Sequence, residues 1–143
     1  MRRIAVAFSF LTAALAFAAA PPSTKELLEK GKATFNINCV ACHGPKGAGD
    51  GAAAVALNPK PRNYATDTFK NGDKPEQIFK TLSDGLKDTA MVSFAHLPEQ
   101  DRWALAYYVL ELRAEGKAGL DAGAPAAAVP DAGTKGKATK PKK

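Results

Sequence analysis

Cys39-Val40-Ala41-Cys42-His43 constrains this chain more than any other run of residues. The C-x-x-C-H pattern is the signature for covalent attachment of a c-type haem. Two thiols three positions apart can each add to one vinyl group of a single porphyrin, and the adjacent imidazole then lies where it can ligate the iron. The sequence holds 2 cysteines, both inside the pentapeptide, so no other thiol competes. Three plainer readings of the same residues stand beside this one. A redox dithiol of the thioredoxin kind needs a βαβ setting, and no convincing strand pattern is present. Half of a zinc site would have to recruit His43 and His96, which lack the usual ligand spacing. A plain structural disulfide is the third.

The first residues point to export. Arg2 and Arg3 form a basic start, Ile4 to Leu15 is apolar, and Ala16-Phe17-Ala18 is an A-x-A cleavage site. Ala18-Ala19-Ala20 fits the same pattern but would leave Pro21 directly after the cut, so cleavage after Ala18 is expected. The stretch is apolar for about 17 residues, the lower limit for a membrane span, so an uncleaved anchor is its alternative reading. Haem of the c type is attached outside the cytoplasm, so the pentapeptide and the leader agree on an exported, periplasmic location.

Residues 117–143 are mostly Ala, Gly, Pro and Lys, without an aromatic side chain. Such a segment buries too little apolar surface to offset its ordering entropy, and it reads as a flexible tail. The expected organisation is a signal peptide over 1–18, a linker over 19–22, one domain over 23–116 and the tail. The formal net charge of +6 does not belong to the domain, which carries 12 basic and 12 acidic residues. Charge therefore gives no reason to expect nucleic-acid binding. The basic tail could touch an anionic membrane or an acidic partner through weak, salt-screened attraction, or simply act as a solvated linker.

Helical punctuation organises the domain. Ser23 to Asn38 reads as a first helix, opened by the capping-box pattern Ser23-Thr24-Lys25-Glu26, with Leu27, Leu28, Gly31 and Phe35 at helical spacing. Glycines and prolines from Gly44 to Pro61 mark loop, with a short helical turn at Ala52 to Leu57. Asp73 or Lys74 before Pro75 starts a helix carrying Ile78, Phe79 and Leu82 that stops near Gly85. Pro98-Glu99-Gln100-Asp101 opens a last helix that runs to about Ala114. The domain is expected to be all-α, with short helices and long loops, which is acceptable if the loops wrap a cofactor.

A haem iron held by His43 needs a sixth ligand. Met91 is the one methionine left once the leader is removed, and it lies in the loop Thr89-Ala90-Met91-Val92-Ser93-Phe94. Methionine more often fills gaps in cores. Beside a haem, however, its thioether is a soft iron ligand, and Met/His ligation raises the reduction potential. His96 is the rival, and bis-histidine ligation would lower the potential.

Together these runs resemble class I cytochrome c, the small monohaem electron carriers, and their bacterial periplasmic members in particular. The resemblance covers about residues 23–115. It rests on Gly31, Phe35 and Cys39 to Gly44 as helix and haem motif, on Thr89-Ala90-Met91 with Phe94 as the axial-methionine loop, and on Trp103 to Val109 as the C-terminal helix. It implies that Gly31 and Phe35 pack on Leu105 and Tyr108. It also implies that a prolyl carbonyl in Asn58 to Tyr64, from Pro59 or Pro61, accepts a hydrogen bond from the ligating histidine, and that Arg62 pairs with a haem propionate or stays solvated. Val92 departs from the proline that many members carry after the methionine. The expected function is one-electron transport by a monomer with one haem c, without catalysis, to redox partners that dock transiently at the haem edge. A gas- or peroxide-binding haem protein and a haem subunit of a larger respiratory complex are the alternatives.

Overall fold

The computed structural model describes residues 20–122. Four helices occupy them: α1 at Lys25–Asn38, α2 at Val40–His43, α3 at Pro75–Asp84 and α4 at Glu99–Asp121, with a 3-10 turn at Ala54–Ala56. No strand occurs among the described residues, so the domain is all-α, as expected. The signal peptide over 1–18 and the tail beyond residue 122 lie outside the described residues.

The start of α1 differs by one residue from the capping-box reading. Thr24, not Ser23, is the N-cap, and its hydroxyl accepts the Leu27 amide at 3.2 Å. This satisfies one of the amides that a helix start leaves without a partner. At its other end α1 almost continues into α2. Cys39 departs from helical geometry at φ −123°, yet its amide reaches Phe35 O at 2.8 Å, and the His43 amide reaches Cys39 O at 2.9 Å. The pentapeptide is thus one kinked helical end, closed by Gly44 at φ 73°.

The core lies where α1 crosses α4. Phe35 and Leu105 are fully buried there, each worth roughly 1.5–3 kcal/mol of apolar burial. The rings of Phe35 and Tyr108 meet edge to face at 5.4 Å. Gly31 makes the crossing possible, because a Cβ on it would stand 2.2 Å from the Ala104 carbonyl oxygen and 2.8 Å from Tyr108 Cβ. The resemblance implied Leu105 opposite this glycine. The close contact is instead with the Ala104 main chain, which is what a side-chain-free position admits.

Helix α3 begins at Pro75, with Lys74 as N-cap and Gln77 Oε1 accepting the Lys74 amide at 3.0 Å. It buries Ile78 and Leu82 and stacks Phe79 on Trp103 of α4 at 4.1 Å. Helix α4 runs on to Asp121 rather than ending near Ala114. Gly116 does not stop it but lies against Ala65, where a Cβ would come within 2.7 Å. The first residues assigned to the tail are therefore helical. Among the described residues no helix is long and apolar enough to cross a membrane.

Candidate functional site

Three chain segments close around one cavity. The α1–α2 junction supplies Cys39, Cys42 and His43, the loop from residue 57 to 72 supplies Leu57, Pro59, Pro61, Arg62 and Tyr64, and α3 with its following loop supplies Ile78, Leu82 and Met91. The empty space measures about 1130 Å³, counting the part open to solvent. Its lining is mostly apolar with a few polar groups, which suits a large apolar cofactor. Every candidate residue named above lines it except His96, which is exposed and sits beside Phe94 at 5.8 Å between ring centroids.

The Cys39 thiol is a poor redox nucleophile. Both cysteines are free, and burial, aided by the neighbouring Cys42, pushes the Cys39 thiol up to about 12. A thioredoxin-like dithiol needs an accessible thiolate, which this environment disfavours. Nor do three His, Cys, Asp or Glu side chains converge in a metal-holding group among the described residues, as a zinc site would require.

His43 is held as a neutral imidazole. Burial lowers its pKa to about 4, the Arg62 main chain favours the charged form, and the Arg62 guanidinium opposes it. A neutral ring is the form that can ligate a metal. Its Nδ1 is buried, and no group meets it in hydrogen-bond geometry, the Arg62 main chain included. The prolyl carbonyl bond implied by the resemblance is thus made by neither Pro59 nor Pro61 here. Arg62 donates to the Thr68 carbonyl and lines the cavity with Lys60 and Lys70, while no carboxylate side chain lines it.

The sequence reading passed over Tyr64 and Arg113. Tyr64 stacks on the His43 ring with centroids 5.0 Å apart and 30° between planes. Arg113 of α4 donates to the Tyr64 carbonyl, to the Asp67 carbonyl at 2.9 Å, and lies over the Phe69 ring. The one sequence cue was an aromatic residue closing a loop of prolines and polar residues.

Two thiols, a neutral imidazole and a thioether around a large apolar cavity define a haem-binding domain of the c type. A sequence model of the cytochrome c family matches residues 28–113, and the chain belongs to that family. Its cofactor is accordingly a covalently bound haem, and the residues present fit that group: two thiols to anchor it, two metal-ligating side chains and apolar walls. Among solved structures, a chain of the reducing HAO-like protein complex of Kuenenia stuttgartiensis is similar, with 32% identity and a TM-score of 0.62. The match covers 66% of this chain and 47% of that one, so the present chain spans about half of its neighbour. No curated protein matches the chain.

Proposed function

We propose that this protein is an exported monohaem c-type cytochrome that carries single electrons between redox partner proteins. The observation that carries the reading is the gathering of Cys39, Cys42, His43 and Met91 around one cavity, with His96 left outside. A haem bound there supplies a one-electron iron couple.

The chain's own residues do the rest. Cys39 and Cys42 would anchor the haem as thioethers, each S–H adding across one vinyl group with its hydrogen taken by the other vinyl carbon. His43 would hold the iron through a neutral nitrogen, and Met91 through its thioether sulfur. With both side chains engaged, no site would be left for oxygen, carbon monoxide or peroxide. Leu57, Ile78 and Leu82 exclude water, which helps set the potential. Arg62, with Lys60 and Lys70, supplies positive charge suited to the propionates. The A-x-A leader supports a periplasmic destination.

The similar chain from a HAO-like complex favours one second reading, a haem subunit held in a larger assembly. Optical spectra of the purified mature protein in both oxidation states, with carbon monoxide added, separate these functions. The carrier reading expects one covalent haem per chain, a single one-electron titration and no carbon monoxide adduct at neutral pH. Ready carbon monoxide binding overturns it in favour of a gas- or peroxide-binding protein. Isolation only with a second subunit favours the complex.

A further inference from the structure

Met91 sits on a loop whose next side chains give it little packing: Val92 is 62% exposed, and Ser93 is exposed as well. An exposed loop opens readily unless polar contacts tie it down. This loop is tied to the end of α3. The Leu86 amide donates to the Met91 carbonyl at 2.8 Å, and the Phe94 amide donates to the Leu82 carbonyl at 2.8 Å. Between those ties the main chain lies directly on Gly85, where a Cβ would stand 2.8 Å from Met91 O, Ser93 N and Val92 C.

A side-chain clasp completes the attachment. Ser93 Oγ donates to the Ser83 carbonyl at 2.5 Å and accepts the Ala95 amide at 3.2 Å. Ser83 Oγ donates to the Phe79 carbonyl at 2.9 Å and accepts from Nη1 of Arg102 on α4. The Arg102 guanidinium also lies over the Phe79 ring, 4.8 Å from its centroid. Each hydroxyl gives its one proton and uses a lone pair. Arg102, Ser83 and Ser93 thus link α4, through the end of α3, to the residue two places beyond Met91.

We propose that Arg102, Ser83 and Ser93 are positioning residues for Met91: their clasp holds the loop closed, so that the thioether stays on the cavity wall where it can reach the iron. This rests on the reading of Met91 as an axial ligand. None of the three is among the residues lining the cavity, so their effect on the iron passes through the loop.

The test uses the mature haem-loaded protein in the ferric state and free imidazole, a nitrogen ligand that binds the iron only when Met91 has left it. The apparent imidazole affinity therefore follows the fraction of molecules with the loop released. Ser93→Ala removes a neutral hydrogen bond made by the closed loop and is expected to raise that affinity by about 2- to 10-fold. Arg102→Leu keeps an apolar stem but cannot donate, and it is expected to raise the affinity at least as much, since the lost donor is charged. Ser93→Thr keeps a hydroxyl and is expected to bind imidazole as the wild type does. Ser93→Ala and Arg102→Leu proteins that melt earlier but keep the wild-type imidazole affinity overturn the proposal, as does a Ser93→Thr protein that binds as tightly as Ser93→Ala. Should Arg102→Leu not mature, the Ser93 pair decides. A ferric wild type without the far-red absorption band of methionine-ligated haem overturns the reading of Met91 itself, so the two failures are distinguishable.

Discussion

Replacing Gly31 with alanine sets two effects of opposite sign against each other. Alanine is the better helix former, by about 1 kcal/mol in a helix interior. The added methyl, however, would lie 2.2 Å from the Ala104 carbonyl oxygen, where ordinary contact begins near 3.4 Å. The obstacle is backbone, which has no rotamer to yield, so α1 and α4 must separate by about 1 Å. A gap of that size forfeits about a quarter to a half of each dispersion contact it opens. The contacts at risk belong to Phe35, Leu105 and Tyr108, all buried at the crossing. Overpacking costs of about 1–3 kcal/mol are usual, and the lost contacts add to them. With the propensity gain of about 1 kcal/mol subtracted from a cost at the top of that range, as a backbone clash demands, Gly31→Ala is expected to destabilise the protein by about 2 kcal/mol. At about 4–8 °C per kcal/mol for a domain of this size, the melting temperature falls by roughly 8–16 °C. Thermal and denaturant unfolding of the haem-loaded protein, followed by helical circular dichroism, measures this. A variant as stable as the wild type, or more so, would refute the close crossing and leave the propensity gain unopposed.

Other consequences are more direct. Met91→Ala is expected to lower the reduction potential and admit carbon monoxide to the ferrous iron, whereas His96→Ala leaves both unchanged; spectra and redox titration check the pair. Cys39→Ala with Cys42→Ala abolishes haem that survives denaturing electrophoresis, and denatured wild-type protein presents no thiol to a thiol reagent. Stability should also depend on acid. Burial lowers His43 from 6.5 to about 4, so between these values the unfolded chain binds a proton that the folded chain does not. Stability is then full above pH 6.5 and is lost as the pH falls towards 4, by on the order of 3 kcal/mol. Iron coordination acts in the same direction; urea midpoints that stay flat across that window would contradict it.

Local features of this fold were legible wherever local chemistry decides them. Pro75 and Gly85 bracket α3 because one lacks an amide that the first turn does not need and the other takes a positive φ. The pentapeptide is a covalent requirement and reads the same in any fold. Met91 stood out because the one other methionine is Met1. What escaped depends on partners distant in sequence. Gly116 looked like a stop, yet against Ala65 it is a packing position, and no proline intervenes before the helix ends. Tyr64 receives Arg113 across 49 residues and meets His43 through a loop whose path no periodicity reveals. Pro59 and Pro61 both line the cavity, and local sequence gives neither carbonyl precedence. In the fold, the Tyr64 ring stacks on the imidazole, a contact between residues that no periodicity links.

The pairing of His43 with Met91 on one covalently held haem is the centre of this account. X-ray absorption at the iron edge of the purified protein tests it most directly, because it distinguishes sulfur from nitrogen in the first coordination shell. The account predicts one sulfur scatterer beside the porphyrin and imidazole nitrogens in both oxidation states. A shell of nitrogen alone, or one completed by oxygen from water, would contradict it.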